Sequence, residues 1–229
     1  MNVPRTIRAM QASLAAATLV LSTAASAQTD AYKQLTSEWW QWALSIPIPD
    51  NPALDTTGEK CMVGQRGSNW FLAGVFVSEP VTRRCSIPDD VSLFFPVLNQ
   101  VGFDTPNACG QGPEPIPAQE YRDQAAAVID GALALSATLD GEQVANMRRV
   151  KSQVFNLSLP GDSLFAPFCE GAPGGLPAGV YSPAIDDGYY VRLNPLSPGS
   201  HTLKIHGDNG QGFVVDVTYL LSVVPVVRR

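Results

Sequence analysis

Residues 189–224, YYVRLNPLSPGSHTLKIHGDNGQGFVVDVTYLLSVV, carry the strongest structural signal in this chain. Within them, residues 189–193, 200–205 and 213–224 are rich in the β-branched, aromatic and aliphatic side chains that favour strands. The two segments between these runs consist mostly of glycine, proline, asparagine, aspartate and serine, which favour tight turns. Short strands at this regular spacing predict a mainly β protein, an antiparallel β-sandwich of the jelly-roll or immunoglobulin-like type.

The strand pattern continues upstream of this region. Residues 69–76 and 91–98 are apolar runs bounded by turns, and we expect them to form a meander with residues 81–87. Pro96 lacks the N–H that a central strand uses, which predicts that its strand bends there or lies at a sheet edge. Residues 99–117 are rich in proline and glycine and are interpreted as a long surface loop.

A hairpin is predicted in the middle of the chain. Asp140 and Gly141 form a strong two-residue turn signal, so residues 132–144 are expected to fold back on themselves. A helix over residues 142–151 is the alternative. Residues 153–159 alternate in a way that predicts a further strand.

Two segments have helical patterning. Residues 31–45 hold good helix formers and neither proline nor glycine, and residues 118–129 are predicted as an internal helix. Trp39 and Trp42 share the apolar face of the first helix, which predicts that they pack in the core. Trp40 lies about 100° around that helix from Trp39, so it fits either the core or a binding surface.

The N-terminus has the three parts of a cleavable export signal. Arg5 and Arg8 make the first region positive, and residues 9–21 form an apolar run too short to span a bilayer. Small residues then lead to a cleavage site after Ala27. We therefore expect residues 1–27 to be a signal peptide and the mature chain to be periplasmic or secreted.

The mature chain, residues 28–229, has the length of a single β-sandwich domain. The whole chain carries a net charge of −6, and removal of the two signal arginines leaves −8. This balance argues against nucleic acid as a partner, because phosphate binding needs clustered lysine and arginine. Asp216 and Pro225 interrupt the apolar stretch 213–227, which predicts a buried final strand and no membrane span in the mature chain.

The four cysteines, Cys61, Cys85, Cys109 and Cys169, all follow the export signal. An even number in an oxidising compartment predicts two disulfides. Zinc is the competing interpretation, but the spacings match no zinc finger or ribbon. We favour pairing Cys61 with Cys85, at the two ends of a hairpin, and Cys109 with Cys169, between two irregular loops.

The sequence lacks the motifs that indicate a particular chemistry. It contains no G-x-S-x-G elbow, no nucleotide-binding glycine loop and no Walker loop, so no organic cofactor is expected. His201 and His206 lie five residues apart in one predicted strand and should face opposite sides, which prevents them from sharing a metal. These features favour a non-catalytic binding protein over an enzyme.

Acidic turns offer the one metal site that the sequence indicates. Asp186, Asp187 and Asp208 lie in segments rich in oxygen ligands, which suits a structural calcium ion. Ordinary β-turns are the favoured interpretation of the same residues, because aspartate and glycine also favour turns.

Aromatic side chains offer a candidate binding surface. Trp40, Tyr189 and Tyr190, with His201 nearby in the following strand, could present flat faces and polar edges to a sugar ring or an apolar ligand. The predicted partner is therefore a ligand, a glycan or another component of the cell envelope.

A carboxylate-dependent hydrolase of the glycosidase type is the alternative function. Glu38 paired with Asp55 or Asp187 would supply the two carboxyl groups that such an enzyme needs, with calcium as an optional structural support. The separation of the two carboxyl groups decides whether this works, and the sequence does not specify it.

Three short motifs follow one another in the first half of the mature chain: WWQW at 39–42, NPALDTTG at 51–58 and WFLAG at 70–74. Together with the C-terminal pattern at 188–219, they are similar to a family of bacterial secreted proteins with no established activity. The resemblance implies a secreted bacterial domain and brings no site residue with it.

Overall fold

The computed structural model describes residues 29–76, 79–165, 169 and 176–226. The predicted signal peptide, residues 1–27, lies outside the described residues. Two five-stranded sheets pack against each other and a helix covers the outer face of one of them. The predicted mainly β sandwich of two sheets is confirmed, but the sheets are mixed and not antiparallel throughout as predicted.

Each sheet takes strands from both halves of the chain. The first sheet contains β1 (Asn69–Phe71), β3 (Ser92–Phe103), β6 (Arg148–Lys151), β7 (Phe155–Leu159) and β8 (Gly179–Leu193). The second sheet contains β2 (Val81–Pro88), β4 (Ala134–Leu139), β5 (Glu142–Gln143), β9 (Gly199–Asp208) and β10 (Val214–Val224). The helices are α1 (residues 29–45), a short 3-10 helix (Ile48–Asp50) and α2 (Ala118–Asp130).

The predicted meander of the first three strands is wrong. β1 runs parallel to β3 in the first sheet, whereas β2 runs parallel to β10 in the second, so both sheets are mixed. The reason is the burial pattern of the strands. β3 is buried on both faces along most of its length and lies between β1 and β8, whereas β2 buries alternate residues only and occupies an edge.

The structure of β3 differs from the prediction in two places, at Pro96 and at the C-terminal end of the strand. The strand is central, so the edge position expected for Pro96 is wrong, but the pairing with β8 shifts register between Pro96 and Leu98. This bulge accommodates a residue that cannot donate to the ladder. The strand also continues to Phe103, so residues 99–103 belong to the sheet rather than to the predicted surface loop.

The predicted hairpin is confirmed, and the alternative helix over residues 142–151 is wrong. β4 pairs with β5 across a two-residue turn in which Asp140 and Gly141 have φ values of 53° and 89°. Two consecutive residues with positive φ match the twist of the flanking strands. Residues 148–151 form β6 instead of a helix.

The core has two main parts, one between the sheets and one beneath α1. Along β3, Leu93 and Phe95 face the second sheet, where Leu203 and Tyr219 are also buried. Phe94 points the other way, into the cluster under α1. Successive strand residues point to opposite faces, so the apolar run of β3 reflects its burial between two layers.

α1 packs its tryptophans onto the outer face of the first sheet. Trp39 and Trp42 are buried as predicted, and their indole N–H groups donate to the carbonyls of Leu72 and Val63 at 3.0 and 2.9 Å. Trp40 is also buried, with 4% of its surface exposed. A buried indole needs a partner for its N–H, and each of these three has one.

Both predicted disulfides are present. Cys61 is bonded to Cys85 across 24 residues, and Cys109 is bonded to Cys169 across 60 residues. The first bond joins the segment before β1 to β2, and the second fastens the loop that follows β3. Disulfides of this kind are typical of compartments outside the cytoplasm.

The final strand is buried, as the interruptions in its sequence predicted. β10 lies between β2 and β9, and Val217 and Leu221 are almost fully buried. Within the described part of the chain, none of the helices has the length and apolar character to cross a membrane.

Candidate functional site

Trp40 and Tyr190, predicted to bind a ligand, contact Asp186, predicted to bind calcium, where α1 packs on the first sheet. Asp186, in the middle of β8, is completely buried. The indole N–H of Trp40 donates to its Oδ1 at 2.7 Å, and the Tyr190 hydroxyl donates to the same oxygen at 2.8 Å. Tyr190 lies four residues farther along β8 and is also fully buried. Trp40 and Tyr190 therefore donate hydrogen bonds to a buried carboxyl group. The prediction that they present flat ring faces at the surface is wrong.

The network continues across the sheet to Asn99 of β3. The Asn99 side-chain N–H donates to the Tyr190 hydroxyl at 2.9 Å. Gly188 lies opposite Asn99 in the ladder, and a Cβ at this position would come within 2.5 Å of the Asn99 Cβ. The absence of a side chain at Gly188 therefore allows Asn99 to lie close against β8.

The backbone of Asp186 is held from the other side by Ser152. The Asp186 N–H donates to the Ser152 hydroxyl at 2.8 Å, and the Ser152 N–H donates to the Asp186 carbonyl at 2.9 Å. Ser152 follows β6 and is itself buried. These two bonds close the gap between β6 and β7 and fix the position of Asp186 in the sheet.

Burial dominates the electrostatics of this site. Loss of solvent raises the pKa of Asp186 to about 7, the bonds from Trp40 and Tyr190 oppose the rise, and the charge of Asp187 adds to it. The Thr36 hydroxyl lies near the carboxyl group but donates to the Lys33 carbonyl, and Oδ2 of Asp186 has no hydrogen-bond partner among the described residues. A proton on that oxygen would remove an uncompensated buried charge.

An open, largely apolar pocket of about 380 Å³ adjoins this network. We call it the apolar pocket. Its walls come from α1, β3, α2, β10 and the loops beside them, and include Trp39, Trp40, Leu98, Val128, Phe213 and Val215. Trp40 and Asn99 belong both to the pocket wall and to the network, so they connect the pocket to Asp186.

A few polar side chains interrupt the apolar wall. Asn99, Gln100 and Asn209 contribute amide groups to it. The Asn209 Oδ1 accepts from the backbone N–H groups of Gln211 and Phe213 at 2.8 and 3.0 Å, which fixes the orientation of the amide. An apolar cavity of this size with a few oriented polar groups is the usual form of a small-molecule site.

Two of the predicted ligand-binding residues lie elsewhere. Tyr189 packs from the opposite face of β8 against the core between the sheets. His201 lies in β9 of the second sheet, where its Nδ1 is 2.7 Å from a carboxylate oxygen of Asp140. The hydrogen bonds to Asp140 and the Ser197 carbonyl raise the pKa of His201. The structure therefore does not assemble the four predicted residues into one surface.

The predicted calcium ligands also have other roles. Asp186 and Asp187 lie in the middle of β8 rather than in a turn, because this segment pairs with neighbouring strands. Asp187 forms an ion pair with Arg149 at 2.8 Å, and the Asp208 Oδ1 accepts from the Gly210 N–H at 2.7 Å. The described residues contain no group of three histidine, cysteine, aspartate or glutamate side chains placed to hold a metal ion.

The acids of the hydrolase alternative each have separate partners. Glu38 is partly exposed on α1 and accepts from the Gln34 amide at 2.8 Å. Asp55 is partly desolvated, which favours its neutral form, but hydrogen bonds from Lys60, Thr57 and Gly58 outweigh this and lower its pKa. Asp187 is committed to its ion pair with Arg149. These contacts give each acid a structural role.

The sequence pattern did not single out Asn99, Gly188 or Ser152. In the sequence these residues look like ordinary loop, turn or strand-edge residues. They contact the Asp186 network only because β3, β6 and β8 are neighbours in the sheet.

No protein-family model, curated protein or solved structure matches this chain. The chemistry of the site therefore follows from its own geometry.

Proposed function

We propose that this protein is an exported, non-catalytic binding protein that holds a small, mostly apolar molecule in the apolar pocket. The observation that carries the proposal is the pocket itself, about 380 Å³ in volume and lined by tryptophan, phenylalanine, valine and leucine side chains. Its few amide groups would orient one polar group of the ligand. The N-terminal signal pattern and the two disulfides support a periplasmic or secreted location.

The location of the aromatic residues favours a small, mostly apolar ligand over an extended polysaccharide. Polysaccharide-binding surfaces need exposed ring faces, but Trp40 is 4% exposed and Tyr190 is fully buried. Trp40 instead contributes its ring to the pocket wall while its N–H is used by Asp186. A buried ring of this kind favours contact with an apolar molecule held in the pocket.

A neutral, apolar fluorescent probe tests the proposal. N-Phenyl-1-naphthylamine should bind the purified mature protein with increased fluorescence and one site per chain. Val128→Phe places a larger side chain at the pocket wall and should weaken binding about tenfold or more, equivalent to about 1.4 kcal/mol. The matched control is Val154→Phe, because Val154 is 51% exposed and does not line the pocket.

Circular dichroism should show that both variants keep the wild-type fold. Equal probe affinity in Val128→Phe and Val154→Phe, or no saturable binding to the wild type, would contradict the proposal. If the wild-type protein binds the probe as expected, organic extraction of protein purified from its native host, followed by mass spectrometry, would identify the natural ligand.

A further inference from the structure

A second concavity lies at a different place on the first sheet. It has a volume of about 590 Å³ and is bounded by the start of α1, the segment leading into β6 and the end of β8. Its polar lining comprises Gln34, Glu38, Asn69, Asn146, Arg148 and Arg192, with Asn194 beside them. We call it the arginine cleft. We infer that the arginine cleft binds an acidic sugar, through an oxyanion at the two arginines and hydroxyl groups at the amides.

Both guanidinium groups are held in place by neutral partners. Arg192 Nε donates to the Asn69 side-chain oxygen at 3.3 Å, and one of its terminal nitrogens donates to the Ser92 hydroxyl at 2.9 Å. The Arg148 guanidinium carbon lies 5.3 Å from the centre of the Tyr32 ring, which orients it by a cation–π contact. Both planar groups are thus positioned without a direct ion pair among the described residues.

The absence of acidic partners sets these arginines apart from their neighbour. Arg149 is paired with Asp130 and Asp187, whereas neither Arg148 nor Arg192 has a carboxylate within 4 Å in the described part of the chain. The protein as a whole has more acidic than basic residues, 21 against 15. Two unpaired arginines in one cleft of an acidic protein are suited to binding an external carboxylate or phosphate.

The amide side chains that line the cleft are suited to binding the hydroxyl groups of a sugar beside its anionic group. The Asn146 N–H donates to the Arg192 carbonyl at 2.6 Å, which leaves its side-chain oxygen available as an acceptor. Asn194 and Gln34 contribute further amide groups that both donate and accept, as sugar hydroxyls do. Glu38 is the one acid among the residues lining the cleft, and its charge opposes an anionic ligand. This inference is independent of the apolar pocket.

Five small probes distinguish the parts of this inference by isothermal titration calorimetry. They are glucuronate, glucose 6-phosphate, glucose, acetate and inorganic phosphate, each titrated into the mature protein at low ionic strength. Glucuronate or glucose 6-phosphate should bind at least about tenfold more tightly than glucose and than its matching simple anion. The stronger of the two acidic sugars identifies the oxyanion as carboxylate or phosphate.

Three variants tie the binding to the cleft. Arg148→Gln should weaken binding of the preferred probe about tenfold or more, and Glu38→Gln should strengthen it because a repelling charge is removed. The matched control is Arg84→Gln on β2, an exposed arginine of the second sheet, which should leave the affinity within about twofold.

Opposite effects of Arg148→Gln and Glu38→Gln cannot result from a general loss of folding. The inference is overturned if neither acidic sugar binds, if acetate or phosphate binds as tightly as the corresponding sugar, or if Arg148→Gln binds like the wild type.

Discussion

At the scale of single residues, Asp186 shows how tertiary packing changes the chemistry of a side chain. One of its carboxyl oxygens receives two hydrogen bonds, from Trp40 and Tyr190, and the other has no partner among the described residues. Full burial raises its pKa to about 7. An acid whose pKa is raised by folding binds a proton more tightly in the native state than in the unfolded chain.

This linkage predicts a pH dependence of stability. Between the unfolded pKa of about 3.8 and the native value of about 7, the native state holds the extra proton, so the free energy of unfolding decreases as pH rises. Above pH 7 both states are ionised and this contribution is lost. From pH 5 to pH 8 we expect Asp186 to lower the stability by about 2 to 3 kcal/mol.

Urea unfolding at pH 5 and pH 8 measures this effect. Asp186→Asn should remove most of the decrease that the wild type shows, whatever its stability at either pH. Glu114→Gln, at an exposed loop position, should leave the decrease unchanged. The same slope in Asp186→Asn and the wild type would show that Asp186 is ionised throughout this range.

At the scale of the elements, β2 is fastened to the rest of the fold through Arg83. This side chain is 1% exposed and lies among neutral partners. Its guanidinium donates to the carbonyls of Ala53, Asp55, Ala73 and Gly74 and to the Tyr219 hydroxyl, at 2.6 to 3.2 Å. One side chain therefore closes the irregular segments around β1 onto the second sheet.

Replacing this arginine by lysine should destabilise the protein strongly. An ammonium group has three donors on a single atom and cannot reach the five acceptors that the planar guanidinium serves, so buried carbonyls lose their partners. We expect Arg83→Lys to lower the free energy of unfolding by about 3 kcal/mol or more, measured in urea. Arg84→Lys at the adjacent exposed position should change it by less than about 0.5 kcal/mol. Similar effects of the two substitutions would refute this role of Arg83.

At the scale of the whole molecule, three layers are held together by apolar packing and two covalent bonds. α1 covers the first sheet, the first sheet packs on the second, and β3 contributes to both interfaces. The disulfides close loops of 24 and 60 residues. Each restricts the unfolded chain, which in the chain-entropy model stabilises the native state by about 3 to 4 kcal/mol.

Mass spectrometry and unfolding experiments test this contribution. The intact mature protein should be about 4 Da lighter than its fully reduced form, and peptide mapping should join Cys61 to Cys85 and Cys109 to Cys169. Reduction should lower the urea midpoint markedly, because two such bonds are a large part of a typical domain's 5 to 15 kcal/mol. Four free thiols in protein recovered from the periplasm or medium would contradict this prediction.

Local sequence patterns were sufficient to predict the structural features that depend on residues close together in the chain. The turn at Asp140 and Gly141 was predictable because both positions need positive φ, and the helix over residues 31–45 because its apolar residues recur every three to four positions. The cysteine pairs were predictable because four cysteines behind an export signal leave few choices. These features supply the mainly β sandwich, its hairpin, α1 and both disulfides.

Long-range pairing was needed for the sheet membership of the strands and for the site. β1 and β2 have similar strand patterns, but β1 joins β3 and β2 joins β10, a choice that depends on which faces the assembled layers bury. Likewise, Asn99, Trp40 and Asp186 come from distant parts of the chain. Side-chain periodicity records which face of an element is apolar and not what will cover it, so the site arises only when α1, β3 and β8 pack together.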